Sequence, residues 1–213
     1  MYDSPKLVGL RNELIRILAK KGIKNKKILE AFYKIPRHMF IHKDFKLYAY
    51  KDEAFPIDDN QTISQPFTVA FQTELLDVKK DDKILEIGTG SGFQTSILVF
   101  LGAKVFTVER VYSLYKKSKK ILNEINLKPE KIIWDDGHKG FDNLSPFDKI
   151  IITAACKKPP LNLLKQLKIG GRMVVPIGDS VQKMTLINRI NDKKFEKKTF
   201  GDYRFVPMLK NKY

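Results

Sequence analysis

One short segment, Asp82–Phe93, constrains the fold more than any other part of this sequence. It consists of the apolar run KILEI, the glycine-rich turn GTGSG, and Phe93 at the start of a further apolar stretch. Because glycine has no side chain, such a turn brings bare backbone close to a ligand at the carboxyl edge of a parallel sheet. The segment therefore predicts an α/β fold that binds a nucleotide-like ligand at this turn.

The glycine spacing indicates which kind of nucleotide binds. A dinucleotide-binding turn reads G-x-G-x-x-G, but Phe93 stands where its third glycine would be. No G-K-[ST] follows the turn, so a P-loop is excluded. A turn that does not hold a diphosphate suits an adenosine with an amino-acid tail. We therefore expect S-adenosylmethionine as the cofactor.

Two acidic positions fit the same cofactor. Glu109 ends the next apolar run, where a carboxylate can accept hydrogen bonds from both ribose hydroxyls. Asp136-Gly137 follows the apolar run Lys131–Trp134; the aspartate can accept a hydrogen bond from the adenine amino group, while the glycine lets the ring pack against backbone. Each alone also fits a solvated glutamate or an ordinary Asp-Gly turn, but their places at the ends of successive predicted strands favour one cofactor site.

Helical and extended patterns alternate along the chain. Helices are predicted from Ser4-Pro5 to Gly22 and over 25–34, and residues 52–66 are turn-rich and extended. Further helices are predicted over 67–78, 92–101, 111–126 and 160–168, and strands over 83–87, 104–109, 131–134, 148–153 and 172–177. This alternation predicts a doubly wound, mostly parallel sheet, with a terminal antiparallel pair (183–190 and 195–206) after a Gly170-Gly171 turn.

We expect these elements to form a single domain over residues 1–213. Within it, residues 1–50 would form a helical N-terminal cap, residues 51–82 a substrate loop and helix, and residues 83–213 the cofactor-binding α/β core. A chain of 213 residues can bury one sizeable core without a second domain.

Composition indicates the cellular location and the classes of partner to expect. The sequence has no apolar run of membrane-spanning length and only one cysteine, Cys156, so we expect a cytoplasmic protein without membrane association. The formal net charge is +16, but only seven of the 40 basic residues are arginine and the lysines are scattered, so no specific nucleic-acid partner is expected. The three histidines are dispersed, and no metal site is predicted.

Several motifs together resemble one enzyme family. They are the loop Phe55–Phe67 with its QTIS stretch and proline, ILEIGTGSG, Val108-Glu109-Arg110, Asp136-Gly137, Thr153-Ala154-Ala155, and LKIGGRMVVPIG. From about Ile35 to Pro207 the chain resembles the protein-L-isoaspartate (D-aspartate) O-methyltransferase family, and the QTIS stretch is the most specific motif. The resemblance implies a class I S-adenosylmethionine-dependent methyltransferase fold. It also implies a protein-repair enzyme that methylates the α-carboxylate of L-isoaspartyl or D-aspartyl residues in damaged proteins and peptides.

The resemblance also assigns roles to residues. Ser64 matches the active-site serine, and Ile63 and Ser64 are expected to contact the substrate. The implied cofactor contacts are Thr62, Gly88, Thr89, Gly90, Ser91, Gly92, Glu109, Asp136, Gly137 and Gln182. Family members often carry alanine and histidine where this chain has Gln65 and Phe67, so substrate contacts beside the serine differ here.

The predicted chemistry needs few catalytic groups. A carboxylate with a pKa of about 4 is already ionised at neutral pH, so its attack on the methyl carbon needs no general base. Ser64 would orient that carboxylate, although it could instead be the N-cap of the following helix.

Two other functions remain open from sequence alone. A methyltransferase acting on RNA is favoured by the charge and disfavoured by the lack of an aromatic and basic patch in the sequence. A cofactor-binding scaffold without catalysis is disfavoured by the intact QTIS loop.

Overall fold

The computed structural model describes residues 4–213, so residues 1–3 of the predicted domain lie outside the described residues. The helices are α1 (Pro5–Lys20), α2 (Lys26–Lys34), α3 (Pro66–Leu76), α4 (Phe93–Phe100), α5 (Tyr112–Glu124) and α6 (Leu161–Gln166). The strands are β1 (Phe55–Pro56), β2 (Thr62–Ile63), β3 (Lys83–Ile87), β4 (Lys104–Glu109), β5 (Lys131–Trp134), β6 (Phe147–Ile152), β7 (Leu167–Gly178), β8 (Gln182–Arg189) and β9 (Phe195–Tyr203). No described helix is both long enough and apolar enough to cross a bilayer.

A seven-stranded sheet of order β5-β4-β3-β6-β7-β8-β9 forms the centre of the molecule. The strands from β5 to β7 pair in parallel, and β8 and β9 add two antiparallel strands. This arrangement confirms the predicted α/β fold.

Helices cover both faces of the sheet, as the almost continuously apolar strands require. Successive side chains of β3 point to opposite faces. Ile84 packs in a cluster with Leu76 of α3 and Leu98 of α4, whereas Leu85 packs in another with Leu163 of α6. The sheet is therefore doubly wound.

The N-terminal helices form where their caps predict them. Ser4 Oγ accepts a hydrogen bond from the Leu7 N–H at 3.4 Å, and Asn25 Oδ1 accepts one from the Lys27 N–H at 3.0 Å. The segment packs on α4: the ring of Phe32 meets that of Phe93 edge-on, with centroids 5.4 Å apart. One core cluster joins the N-terminal helices to α4 and α5.

The Gly170-Gly171 turn differs from its prediction. Both glycines lie inside β7, which begins at Leu167 rather than 172 and shortens the predicted helix before it. Phe147 of β6 pairs with Leu167, but Lys149 pairs with Arg172, so β7 bulges between these pairs. Gly170 has a φ of +79°, which glycine adopts without strain, and the chain bulges within one strand instead of turning.

The topology brings the predicted cofactor residues to one edge. The carboxyl ends of β3, β4, β5 and β6 lie side by side, and the loops that follow them meet there. The β1–β2 hairpin covers this edge and is held to α5, because Lys117 Nζ donates to Asp58 Oδ2 at 2.7 Å and Ser113 Oγ donates to Asp59 Oδ2.

Candidate active site

Three adjoining cavities lie at the carboxyl edge of the sheet. The largest, which we call the cleft, has a volume of about 840 Å³ and is lined by Ser64, Gln65, Tyr203 and Arg204 among others. The acid-side cavity of about 70 Å³ is lined by Ile87, Glu109, Gly137, Met208 and their neighbours. The glycine-turn cavity of about 40 Å³ is lined by Gly88–Ser91, Ser64 and Gln72 among others. Thr62 and Thr153 line all three, so the cavities are parts of one site.

Glu109 lies in the acid-side cavity and is only 4% exposed. Its Oε2 accepts the Gly90 N–H at 2.7 Å and its Oε1 accepts the Val111 N–H at 2.8 Å. Burial raises the pKa of Glu109, and the N–H donors of Val111 and Gly90 oppose the rise. Each carboxylate oxygen can accept a further hydrogen bond, so the side chain can still bind a diol.

Asp136 and Gly137 differ in where they lie and in what they contact. Gly137 lines the acid-side cavity, and a Cβ added there would lie 2.5 Å from Ile87 Cγ2, so only glycine fits this close approach. Asp136 Oδ1 accepts the His138 N–H at 2.8 Å and lies 3.0 Å from the His138 ring nitrogen, while Oδ2 accepts the Asn211 N–H at 2.9 Å. Burial alone would raise the pKa of Asp136, but these donors lower it overall. The carboxylate thus ties the chain near its last described residues to this loop.

The glycine turn is shaped by Thr153, at the end of β6. Gly88 has a φ of +93°, and a Cβ added to it would lie 2.5 Å from Thr153 Oγ1. That hydroxyl donates to the Gly88 main-chain oxygen at 2.7 Å. The Thr89 hydroxyl is 2.7 Å from Thr107 Oγ1 and the residue is 3% exposed, while the residue also borders the glycine-turn cavity. Gly92, which precedes α4, lies at the end of the turn with a φ of +89°.

The residues of the QTIS loop differ in which cavities they border and in how deeply they are buried. Thr62 lines all three cavities, and Ser64 lines both the cleft and the glycine-turn cavity. Ile63 is 2% exposed, and its side chain belongs to the hydrophobic core while the residue also borders the glycine-turn cavity. Its burial anchors the loop.

Ser64 does not cap α3. The N-cap position is occupied by Gln65, which makes no capping side-chain hydrogen bond, and the Phe67 N–H donates instead to Asp52 Oδ1 at 2.7 Å. The alternative interpretation of Ser64 as an N-cap residue is therefore wrong.

Gln182 is buried at the start of β8, where it pairs with Gly178 at the end of β7. It is 2% exposed, its Nε2 donates to the Asp179 main-chain oxygen, and its Oε1 accepts the Phe205 N–H at 2.8 Å. Among the described residues that line the three cavities, the predicted contacts Gln182, Asp136 and Gly92 do not occur. The Gln182 amide joins the start of β8 to the segment that follows β9.

Sequence reasoning missed Thr153 and Arg204 as individual site residues. Thr153 belongs to a recognised motif, and its signal was its place at the end of a predicted strand. Arg204 contributes a cation to the wall of the cleft. Its position depends on β9, which was predicted to run to residue 206 but ends at Tyr203.

The expected lack of an aromatic and basic patch is wrong. Tyr112 and Trp134 lie with ring centroids 4.8 Å apart, Lys116 Nζ is 4.6 Å from the Tyr112 ring and Lys212 Nζ is 4.5 Å from the Trp134 ring. These residues are far apart in sequence, so the patch could not be recognised there. The lysines already cover ring faces on which a base would stack.

Other reactive side chains have partners within the fold. Burial raises the pKa of the Cys156 thiol to about 12, and its Sγ lies 3.3 Å from Met208 Sδ. His38 Nδ1 lies 2.8 Å from the Tyr50 hydroxyl. Within residues 4–213 no three His, Cys, Asp or Glu side chains are grouped to hold a metal ion.

Comparison with known proteins agrees with this geometry. The sequence profile described as "Protein-L-isoaspartate(D-aspartate) O-methyltransferase (PCMT)" matches residues 10–213. Proteins named protein-L-isoaspartate O-methyltransferase from Flavobacterium psychrophilum and Flavobacterium johnsoniae are 54% and 53% identical, in each case over the whole of both chains.

Solved structures show the same fold. A protein-L-isoaspartate O-methyltransferase superposes with a TM-score of 0.85 and 28% identity, over 94% of this chain and 66% of the other. A Plasmodium falciparum protein described by the same name, in complex with S-adenosyl-L-homocysteine, superposes with a TM-score of 0.82 and 23% identity. The match covers 93% of this chain and 98% of the other.

These matches confirm the predicted class I methyltransferase fold, the enzymatic activity and S-adenosylmethionine as the cofactor. The chain belongs to the protein-L-isoaspartate(D-aspartate) O-methyltransferase family.

Proposed function

We propose that this chain carries out the protein-repair reaction of its family by distributing the two substrates among its three cavities. The adenosine of S-adenosylmethionine would occupy the acid-side cavity, with its ribose on Glu109 and its adenine against Gly137. The methionine portion would lie in the glycine-turn cavity, along the backbone of Gly88–Gly92. The isoaspartyl residue of a damaged protein would enter the cleft.

One observation carries this proposal: Ser64 borders both the cleft and the glycine-turn cavity. A methyl group on the sulfonium must pass between these two spaces. Thr62 and Thr153 line the same junction from the hairpin and from the end of β6. The junction is therefore where the acceptor oxygen, the methyl carbon and the sulfur can be aligned.

The chemistry at this junction requires alignment more than proton transfer. The acceptor carboxylate is ionised at neutral pH, and its oxygen attacks the methyl carbon while the carbon–sulfur bond breaks. Charge is neutralised as the anion meets the sulfonium, so excluding water favours the transition state. In this proposal the Ser64 hydroxyl donates a hydrogen bond to the carboxylate and holds it in line.

At least one of the segments that cover the acid-side cavity would have to move when the cofactor binds. Roughly 300 Å³ is the lower end for a small-molecule pocket, and the acid-side cavity has about 70 Å³. The β1–β2 hairpin covers this cavity through Gln61 and Thr62, and the segment Val206–Leu209 covers it from another side. We expect one of these covers to open for S-adenosylmethionine.

The same proposal includes the setting of the reaction. We place the enzyme in the cytoplasm as a single domain, with residues 1–50 as a cap, residues 51–82 as the substrate segment and residues 83–213 as the core, and without specific nucleic-acid or membrane partners. The single cysteine and the shared core of the N-terminal helices with α4 and α5 support this view. The patch around Tyr112 and Trp134 makes RNA the competing acceptor to be tested.

The role of Ser64 is tested by Ser64→Ala. Loss of a positioning hydrogen bond should lower kcat for an isoaspartyl peptide by about one to three orders of magnitude, with affinity for S-adenosylhomocysteine nearly unchanged. Steady-state kinetics and calorimetric titration measure the two quantities. A variant with wild-type kcat would contradict the proposed role.

A further inference from the structure

A carboxylate from outside the helix caps α3, the helix that begins two residues after Ser64. The first N–H groups of a helix have no partner inside it, and the helix N-terminus favours a negative charge. Asp52, from the loop before β1, accepts the Phe67 N–H through Oδ1 at 2.7 Å. Asp52 thus satisfies a donor that Gln65, at the N-cap position, leaves free.

The same aspartate also holds the side chain of Gln65. Gln65 Nε2 donates to the Asp52 main-chain oxygen at 2.9 Å and to Oδ2 at 3.2 Å. Lys21 Nζ lies 2.6 Å from Oδ2, and the Asp52 side chain is only 8% exposed. Hydrogen bonds to a charged group are stronger than neutral ones. The residue directly after Ser64 and the second residue of α3 are therefore both fixed to one carboxylate.

The loop that carries Asp52 is fixed from the core by Arg37. This arginine is 1% exposed; its Nε donates to the Ala49 main-chain oxygen at 2.8 Å and its Nη2 donates to the Glu53 main-chain oxygen at 3.4 Å. The two carbonyl groups lie on either side of Asp52 in sequence. The position of Asp52 is therefore set by the packed interior.

We infer that Asp52 is a positioning residue for methyl transfer, acting through Gln65 and the start of α3 to hold Ser64 between the cleft and the glycine-turn cavity. The inference rests on the role proposed for Ser64. Misplacement of a reacting group by about 1 Å can cost about two orders of magnitude in rate. Loss of Asp52 should therefore reduce turnover even when the cofactor still binds.

A double-mutant cycle tests this inference. The kcat for an isoaspartyl peptide is measured for the wild type, Asp52→Ala, Ser64→Ala and the double variant, with calorimetric titration of S-adenosylhomocysteine for each. Asp52→Ala should lower kcat about tenfold or more when Ser64 is present and less than about twofold in the Ser64→Ala background, because residues that act through one another are not additive. Cofactor affinity should stay within about twofold of the wild type. A purely structural defect would instead lower kcat and cofactor affinity together.

Two further variants complete the test. Asp52→Asn keeps an oxygen for the Phe67 N–H, so it covers the case in which Asp52→Ala does not fold, and it should lose less kcat. Asp81→Asn is the control, since Asp81 is another aspartate, paired with Lys104 at 3.9 Å and placed before β3, at the opposite edge of the sheet from the site. Its kcat should equal that of the wild type.

The possible failures are distinguishable. An equal loss of kcat from Asp52→Ala in both backgrounds would overturn the inference, because Asp52 would then act independently of Ser64. Wild-type kcat in the folded Asp52 variants would overturn it as well, while leaving the role of Ser64 intact. Wild-type kcat in Ser64→Ala would contradict the role proposed for Ser64 and the inference together.

Discussion

The carboxylate of Glu109 binds the glycine turn directly, because its Oε2 accepts the Gly90 N–H at 2.7 Å. β3 and β4 are adjacent and parallel, so the residue that ends β4 reaches the turn that follows β3. One side chain therefore connects the proposed ribose contact with the proposed methionine contact. Changes at Glu109 should affect both.

Glu109→Ala should weaken binding of S-adenosylhomocysteine by roughly 1.5 to 3 kcal/mol, because charge-assisted hydrogen bonds to the ribose are lost. This corresponds to an increase in Kd of about ten- to 150-fold. Glu109→Gln keeps one oxygen acceptor and should lose less. Calorimetric titration gives both values; equal affinity in the wild type and Glu109→Ala would mean that the acid only shapes the turn.

Asp136→Ala should weaken cofactor binding less than Glu109→Ala does. Its carboxylate is already bonded to the N–H groups of His138 and Asn211, so its main loss should be in stability. Losing these two part-buried hydrogen bonds to a charged group costs about 1 to 3 kcal/mol. Urea unfolding and calorimetric titration separate the two effects, and a large loss of affinity at unchanged stability would contradict this assignment.

Ser64→Asp separates an effect on the acceptor from an effect on folding. Because Asp52 caps α3, substitution of Ser64 should change the free energy of unfolding by no more than about 0.5 kcal/mol. The new carboxylate would stand beside the anionic acceptor and repel it, so the variant should fold and be inactive. A stable and fully active Ser64→Asp enzyme would exclude a direct contact with the acceptor and direct attention to Thr62.

Glu86 should make stability depend on pH. It is fully buried in β3 with its Oε2 2.5 Å from Thr95 Oγ1, and burial raises its pKa to about 8. The folded protein then keeps a proton that the unfolded chain, with a carboxyl pKa of about 4.3, releases. Stability from this group is fully present below the unfolded pKa and is lost as pH rises towards about 8.

The matched variant is Glu86→Gln, which cannot release a proton. The free energy of unfolding of the wild type should fall between pH 5 and pH 8 by more than that of the variant, as urea titrations at both pH values would show. The same pH dependence in both proteins would mean that Glu86 does not titrate in this range.

The sequence indicated that the predicted cofactor residues would lie at one edge of the sheet, because its signals are local. The turn at Gly88–Gly92, the acid Glu109 and the pair Asp136-Gly137 each stand at or just beyond the end of a strand, and parallel strands necessarily bring their ends together. The prediction of a turn at Gly170-Gly171 was wrong because it rested on a local signal alone. Two glycines mark a departure from regular backbone, but only the pairing of β6 with β7 decides that the departure is a bulge inside a strand.

What the sequence could not provide are contacts between distant segments. Asp52 caps α3 from a loop that contains no recognised motif, so Ser64 remained a candidate N-cap residue. The Asp136 carboxylate binds the N–H of Asn211, which is 75 residues away in sequence. The residues of the patch around Trp134 come from three separate parts of the chain. Such contacts depend on tertiary packing, which no local pattern encodes.

The most direct test of the account offers labelled S-adenosylmethionine to an isoaspartyl peptide, to its aspartyl twin and to bulk RNA. The isoaspartyl peptide should become labelled as a base-labile ester, and the other two should not, because the cleft beside Ser64 would align only the isoaspartyl α-carboxylate with the sulfonium. Equal labelling of the two peptides, or labelling of RNA alone, would contradict it.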